Sequence, residues 1–163
     1  MKRHAIALAA AASCAFALSA PASAQVSGDI IKIGMLTDLS GVYSDVDGNG
    51  GAEAVKMAIA DLGGQINGKK IEFVVADHQN KADIASSKAR EWFDTGKVDM
   101  LIGGTNSGAA LAMAKVAAEK KKVFIAIGSG SALLTNEQCS PYTVHYAYDT
   151  VALARVAGKA IVE

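Results

Sequence analysis

Most of the groups that carry catalysis or metal binding are scarce in this chain. Cysteine occurs twice in 163 residues, at Cys14 and Cys139. Neither has a partner at zinc-finger or redox spacing. The three histidines, His4, His78 and His145, are scattered, and a metal site would need distant carboxylates that the sequence does not single out. No metal and no cofactor is therefore expected. Charge of one sign is not in excess either, with 16 basic against 16 acidic residues. The longest basic run, Lys120 to Lys122, falls between a helical and a strand pattern and reads as a solvated helix C-terminus. No nucleic-acid partner is expected from so balanced a chain.

The glycine-rich stretches do not make a nucleotide cradle. Gly48-Asn49-Gly50-Gly51 comes about ten residues after its strand and lacks the fingerprint spacing. Gly128-Ser129-Gly130-Ser131-Ala132-Leu133 has Leu133 where the third glycine belongs, and no Walker lysine follows either stretch. Gly128-Ser129-Gly130 is too short for a nucleophile elbow. No Ser–His–Asp spacing can be argued, and His145, next to Tyr146 in a strand pattern, reads as a packed or rim histidine. No catalytic constellation is expected.

The one long apolar run is at the start. Lys2 and Arg3 precede an Ala-rich stretch from Ala5 to Ala20, and Ala22-Ser23-Ala24 offers small residues on both sides of Ser23. This is the pattern of a secretory signal peptide over residues 1–24, cleaved before Gln25. The run is too short for a good membrane span. Cys14 after Ala12-Ser13 faintly matches a lipoprotein box, but Ala11 stands where Leu is usual, so lipid anchoring is not expected. Loss of Lys2 and Arg3 leaves fourteen basic residues against sixteen acidic, a net charge of −2. Cys139 is then the last cysteine, a free thiol or one paired outside this chain. At the far end, Thr150 to Glu163 has helical character with no stop signal, so a C-terminally truncated domain is expected over residues 25–163.

Between these ends, strand and helix patterns alternate. Ile30 to Leu36, Ile71 to Ala76, Val98 to Ile102, Lys122 to Ile127 and Thr143 to Tyr146 read as five strands. Helical spacing runs from Ala52 (with Ala54, Val55, Ala58, Ile59 and Leu62), over Lys81 to Thr95, over Ala109 to Lys120, and from Thr150. Strict alternation predicts an α/β fold, a doubly wound parallel sheet with helices on both faces. In such sheets ligands bind beyond the carboxyl ends of the strands.

Small polar turns gather at that edge. Gly103-Gly104-Thr105-Asn106-Ser107 leads a strand into a helix N-terminus, where free N–H groups and the helix dipole suit an anionic group. The competing reading is that Asn106 or Ser107 only caps the helix. Thr105, Asn106, Ser107, Ser129 and Ser131, with the backbone at Gly130, supply small donors. Tyr43 and Tyr148 could pack an apolar ligand body. Asp149 either meets a ligand ammonium or caps the last helix. The set suits recognition of a small solute.

Several segments resemble the periplasmic leucine/isoleucine/valine-binding proteins, the type I solute receptors of ABC importers. They are Ile31-Lys32-Ile33-Gly34-Met35-Leu36-Thr37-Asp38-Leu39-Ser40-Gly41-Val42-Tyr43, Gly51-Ala52-Glu53-Ala54-Val55, Gly68-Lys69-Lys70-Ile71-Glu72 with Asp77, Leu101-Ile102-Gly103-Gly104 with Asn106-Ser107, and the turn from Gly128 to Ser131 ahead of Leu134-Thr135. The resemblance spans residues 25–163 and rests on order and spacing. It implies a fold of two α/β lobes, of which this chain supplies most of the first. It implies ligand contacts at positions similar to Ser107, Ser129 and Ser131, and an aromatic contact similar to Tyr43. It departs where some members have a disulfide, since Gln79 and Asn106 stand at the cysteine positions. It departs again in the turn after the fourth strand, which has glycines in place of the usual proline. The function implied is a periplasmic substrate-binding receptor for branched-chain amino acids or a related aromatic acid or amide, working with an ABC permease in the inner membrane. A ligand-sensing ectodomain of the same fold, or an exported α/β enzyme, are the alternatives.

Overall fold

Strand β1 (Ile30–Thr37) runs through the interior of the sheet, and its last five residues are all buried. That is what a near-continuous apolar run requires when a strand is covered on both faces. In the computed structural model, which describes Val26 and residues 28–162, β1 pairs in parallel with β3 (Lys69–Asp77) on one side and β4 (Met100–Gly103) on the other. The expected leader over residues 1–24 lies outside the described residues. Beyond β4 come β5 (Val123–Ala126) and β6 (Thr143–His145), again parallel. A two-residue strand β2 (Gln65–Ile66), which the pattern did not predict, folds back antiparallel onto the start of β3. Asn67 and Gly68 turn it, with φ of 50° and 77°, as tight hairpins require.

The order is β2-β3-β1-β4-β5-β6. The chain steps from β1 to β3 in one direction and to β4 in the other, through helices α1 (Asn49–Asp61) and α2 (Ala82–Asp94). Helices α3 (Ser107–Lys120) and α4 (Thr150–Val162) follow β4 and β6. The order therefore reverses between β1 and β4, and a crevice at their carboxyl ends follows from the topology. This is the predicted parallel α/β sheet; element limits move by one to three residues, as strand and helix ends do.

The main core lies between the sheet and α2 with α3. Leu36, Leu101 and Phe124 point from three adjacent strands onto Ala85, Ala89, Ala109, Ala110, Met113 and Ala117, all fully buried. Each large side chain there contributes about 1.5–3 kcal/mol of burial. The small helix residues let α2 and α3 approach the strands. Gly34 serves the same purpose: a Cβ there would sit 2.6 Å from the ring of Trp92.

The second face differs from expectation. Of the apolar stripe predicted on α1, Val55 and Ile59 are half-buried while Ala54, Ala58 and Leu62 are exposed; only Ala52 of this helix is buried. Helix α4 buries none of its residues, and Val151, Leu153, Val156 and Ile161 all face outward. Helical periodicity shows which side of a helix is apolar, but it does not supply the surface that covers it.

Candidate functional site

The strand register places Leu36, Gly103, Ala126 and His145 in one row across the sheet. The segments that follow them therefore emerge together. Gly103 makes the turn out of β4 possible: at φ 134° a Cβ would collide with the Leu36 carbonyl oxygen, so no other residue fits. Past Gly104, at φ 85°, and Thr105, Asn106 is the N-cap of α3, its Oδ1 accepting from the Ala109 N–H at 2.8 Å. Of the two candidate caps, Asn106 holds the role and Ser107 is the first helical residue.

Ser107 is instead tied sideways. The fully buried Ser129 donates its hydroxyl to Ser107 Oγ at 3.2 Å. Having accepted that hydrogen, Ser107 keeps its own for an outside acceptor. Ser131 N–H lies 3.4 Å from Ser129 Oγ, and Ser131 Oγ in turn caps the short helical turn Ala132–Leu134 by accepting from Leu133 N–H at 3.4 Å. His145 Nε2 is 2.5 Å from the Ser129 carbonyl oxygen. A carbonyl only accepts, so Nε2 carries the hydrogen, and His145 braces the serine turn from the rim. Gly130 leaves room beside it: a Cβ would stand 3.1 Å from the Tyr148 ring and 3.4 Å from Thr150 Cγ2. The Gly130 carbonyl accepts from Thr150 N–H at 2.8 Å, which anchors the start of α4 to the same turn.

Ser107, Ser129, Gly130, Ser131 and the exposed Tyr148 thus form one cluster beside the α3 N-terminus. Asn106 stands behind it. Asp149 caps α4, its Oδ1 accepting from Ala152 N–H at 2.7 Å. Tyr43 belongs to the loop after β1, across the crevice, and is half-buried there with its N–H donated to Asp38 Oδ2 at 3.0 Å. The Asp38 carboxylate also accepts from Gly41 N–H at 2.8 Å, so this buried aspartate shapes the loop that carries Tyr43. A separate cavity of about 540 Å³ lies at the opposite, amino-terminal edge, lined by Asp29, Lys32, Glu72 and Lys97 among others, away from the serines.

Sequence reasoning missed a polar layer beneath these turns. His78, only 1% exposed, accepts from Asn80 N–H at its Nδ1, 3.0 Å away. Asn80 Oδ1 accepts from Asn106 Nδ2 at 2.5 Å. This hydrogen bond joins the loops after β3 and β4, which some relatives were expected to join by cysteines at Gln79 and Asn106. Burial pushes His78 below the usual histidine value, against the pull of Asp38, Asp47 and Asp77. Asp77 accepts from Ser40 Oγ at 2.6 Å, Leu39 N–H at 3.0 Å and Gln79 N–H at 2.7 Å. Burial would raise its pKa; these bonds, with His78 nearby, outweigh that and lower it. The only trace of this layer in the sequence is the density of Asp, His and Asn at the ends of β1 and β3. Which of them is buried is decided by the fold.

The structure is thus a parallel α/β lobe with serines, a helix N-terminus and Tyr148 gathered at the carboxyl edge of its sheet. The family described as periplasmic binding protein matches residues 30–163, and the chain belongs to it. A periplasmic binding protein from Burkholderia mallei has 68% sequence identity and a TM-score of 0.80 over 82% of this chain and 36% of that one. A branched-chain amino acid ABC transporter periplasmic ligand-binding protein from Burkholderia xenovorans has 37% identity and a TM-score of 0.71, over 79% of this chain and 36% of that one. An ABC transporter solute-binding protein from Rhodopseudomonas palustris, solved with benzoate, has 27% identity and a TM-score of 0.75, over 82% and 37% respectively. The chain thus spans little more than a third of the length of these relatives. No curated protein sequence matches it. The expected recognition chemistry, as opposed to catalysis, accords with this family of binding proteins.

Proposed function

We propose that this chain forms most of the first lobe of a two-lobed periplasmic receptor, which captures a small carboxylate-bearing solute and presents it to an ABC permease in the inner membrane. Residues 1–24 act as the export signal, and the mature chain begins at Gln25. The observation that carries this reading is the convergence of Ser107, Ser129 and Ser131 beside the α3 N-terminus at the switch point of the sheet. Serine hydroxyls and a helix N-terminus together favour a carboxylate. Tyr43 and Tyr148 border the same crevice and offer ring faces for an apolar or aromatic body. Benzoate in the Rhodopseudomonas relative and the branched-chain amino acids named for the Burkholderia xenovorans relative share that carboxylate. They differ in the ammonium group. Asp149 is already engaged as a helix cap through one oxygen, which leaves one oxygen for an ammonium and none of it needed by an aromatic acid.

Capture works by closure. The second lobe shuts over the first, and the permease reads the closed form. One lobe offers half a cleft and leaves a ligand partly solvated. Isothermal titration of the complete receptor with benzoate, 4-hydroxybenzoate, leucine and isoleucine tests the reading. Micromolar or tighter binding of one class supports it, and residues 25–163 alone should bind none tightly. Tight binding by the single lobe would refute the two-lobed mechanism.

A further inference from the structure

We propose that His78 and Asn80 are positioning residues for this site: neutral His78 holds Asn80, Asn80 holds Asn106, and protonation of His78 at Nδ1 releases the start of α3. The functional meaning rests on the solute-site reading above; the physical linkage does not. Three consecutive hydrogen bonds make the connection, from Asn80 N–H to His78 Nδ1 at 3.0 Å, from Asn106 Nδ2 to Asn80 Oδ1 at 2.5 Å, and from Ala109 N–H to Asn106 Oδ1 at 2.8 Å. Because a backbone N–H can only donate, Nδ1 must be bare and the ring hydrogen must sit on Nε2. A second proton has one place to go, Nδ1, where it would face the Asn80 N–H donor to donor.

The turn has little slack to absorb this. Gln79 and Asn80 are both in the left-handed region, at φ 52° and 57°, a conformation that Asn adopts readily and Gln rarely, so Gln79 is held there by its surroundings. His78 itself is pinned by its N–H to the Thr37 carbonyl at 2.9 Å, and its own carbonyl accepts from Lys81 N–H at 2.9 Å. Only the side-chain contact is free to break. The charged groups facing the ring are Asp38 at the end of β1, Asp47 from the helical turn Ser44–Gly48, and Asp77 on its own strand; all three attract the proton, and burial opposes it more strongly. Nε2 and both Asp47 oxygens are buried with no hydrogen-bond partner, so the bond at Nδ1 is the one side-chain hydrogen bond that orients the ring. Asn106 is the cap of the helix whose first residue is Ser107, so the linkage ends at the serine cluster.

The test uses nitrogen NMR of the full chain and hydrogen exchange at Ala109. At pH 7.5 the His78 couplings should report hydrogen on Nε2. On acidification, the His78 titration, the Asn106 side-chain amide shift and loss of Ala109 protection, after correction for intrinsic exchange, should share one midpoint below pH 6.5. Asn80→Ala should lower Ala109 protection about tenfold at pH 7.5, the equivalent of one hydrogen bond, and remove its pH dependence. Asn80→Asp keeps the acceptor for Asn106 and should restore protection. Hydrogen on Nδ1 at pH 7.5, Ala109 protection that ignores the His78 titration, or an Asn80→Ala variant that behaves as wild type would each overturn the proposal. None of these readouts uses a ligand. If the solute reading fails they stand, and if they fail solute capture is unaffected as a hypothesis.

Discussion

Replacing Ser107 by Ala separates a binding role from a folding role, because the structure has already given the cap to its neighbour. Asn106 Oδ1 holds Ala109 N–H whatever stands at position 107. The variant loses the Ser107 Oγ acceptor for Ser129 at 3.2 Å, a long bond between neutral groups, and Ser129 still accepts from Ser131 N–H. Because the buried Ser129 hydroxyl loses its acceptor, the stability cost is about 1–3 kcal/mol, several degrees in Tm for a domain of this size or larger. If the outward hydroxyl hydrogen of Ser107 meets a ligand carboxylate, the loss on binding is a hydrogen bond to a charged group, about 1.5–3 kcal/mol, or roughly ten- to a hundredfold in Kd. Isothermal titration with benzoate and isoleucine, and thermal melts without ligand, should be run on the complete receptor and on Ser107→Ala. The expected result is a rise in Kd of roughly ten- to a hundredfold beside a Tm drop of several degrees. A Tm drop with Kd unchanged within twofold would remove Ser107 from the site and leave the serine cluster as packing.

The remaining predictions address the scaffold. Asn106→Ala loses both the cap and the bond to Asn80, so it should cost about 1–2 kcal/mol in a urea titration. Gly34→Ala puts a methyl group 2.6 Å from the Trp92 ring and should cost about 1–3 kcal/mol, with a change in tryptophan fluorescence, since Trp92 is the one tryptophan. Asp77 has a folded pKa below its ordinary 3.8, so its contribution to stability is complete above 3.8 and lost as pH falls through the folded value; Asp77→Asn should flatten that part of the acid-unfolding curve. His78 runs on a different window. Its folded pKa lies below 6.5, so the unfolded chain takes up a proton first and stability declines as pH falls from 6.5 toward the folded value, a decline that His78→Phe should abolish.

Local pattern determined a good deal. The alternation of Ile-rich runs with Ala-rich helical spacing predicted a parallel α/β sheet, and the polar turns after those runs fell on the carboxyl edge of the sheet, because parallel connectivity leaves them nowhere else to go. The residues of the serine turns were legible for the same reason: Gly103, Asn106, Ser107 and Gly128 to Ser131 interrupt apolar runs with groups that suit a tight turn and a helix start. Tertiary structure decided what those residues touch. The choice between Asn106 and Ser107 as cap depended on one backbone angle, and the partnership of Ser129 with Ser107 spans 22 residues and exists only because β4 and β5 are neighbours. Asp38, His78 and Asn80 looked like ordinary loop residues until the sheet brought the ends of β1, β3 and β4 together and buried the first two. The exposed stripes of α1 and α4 make the same point in reverse. Their periodicity is real, but a pattern within one helix carries no information about what lies across from it.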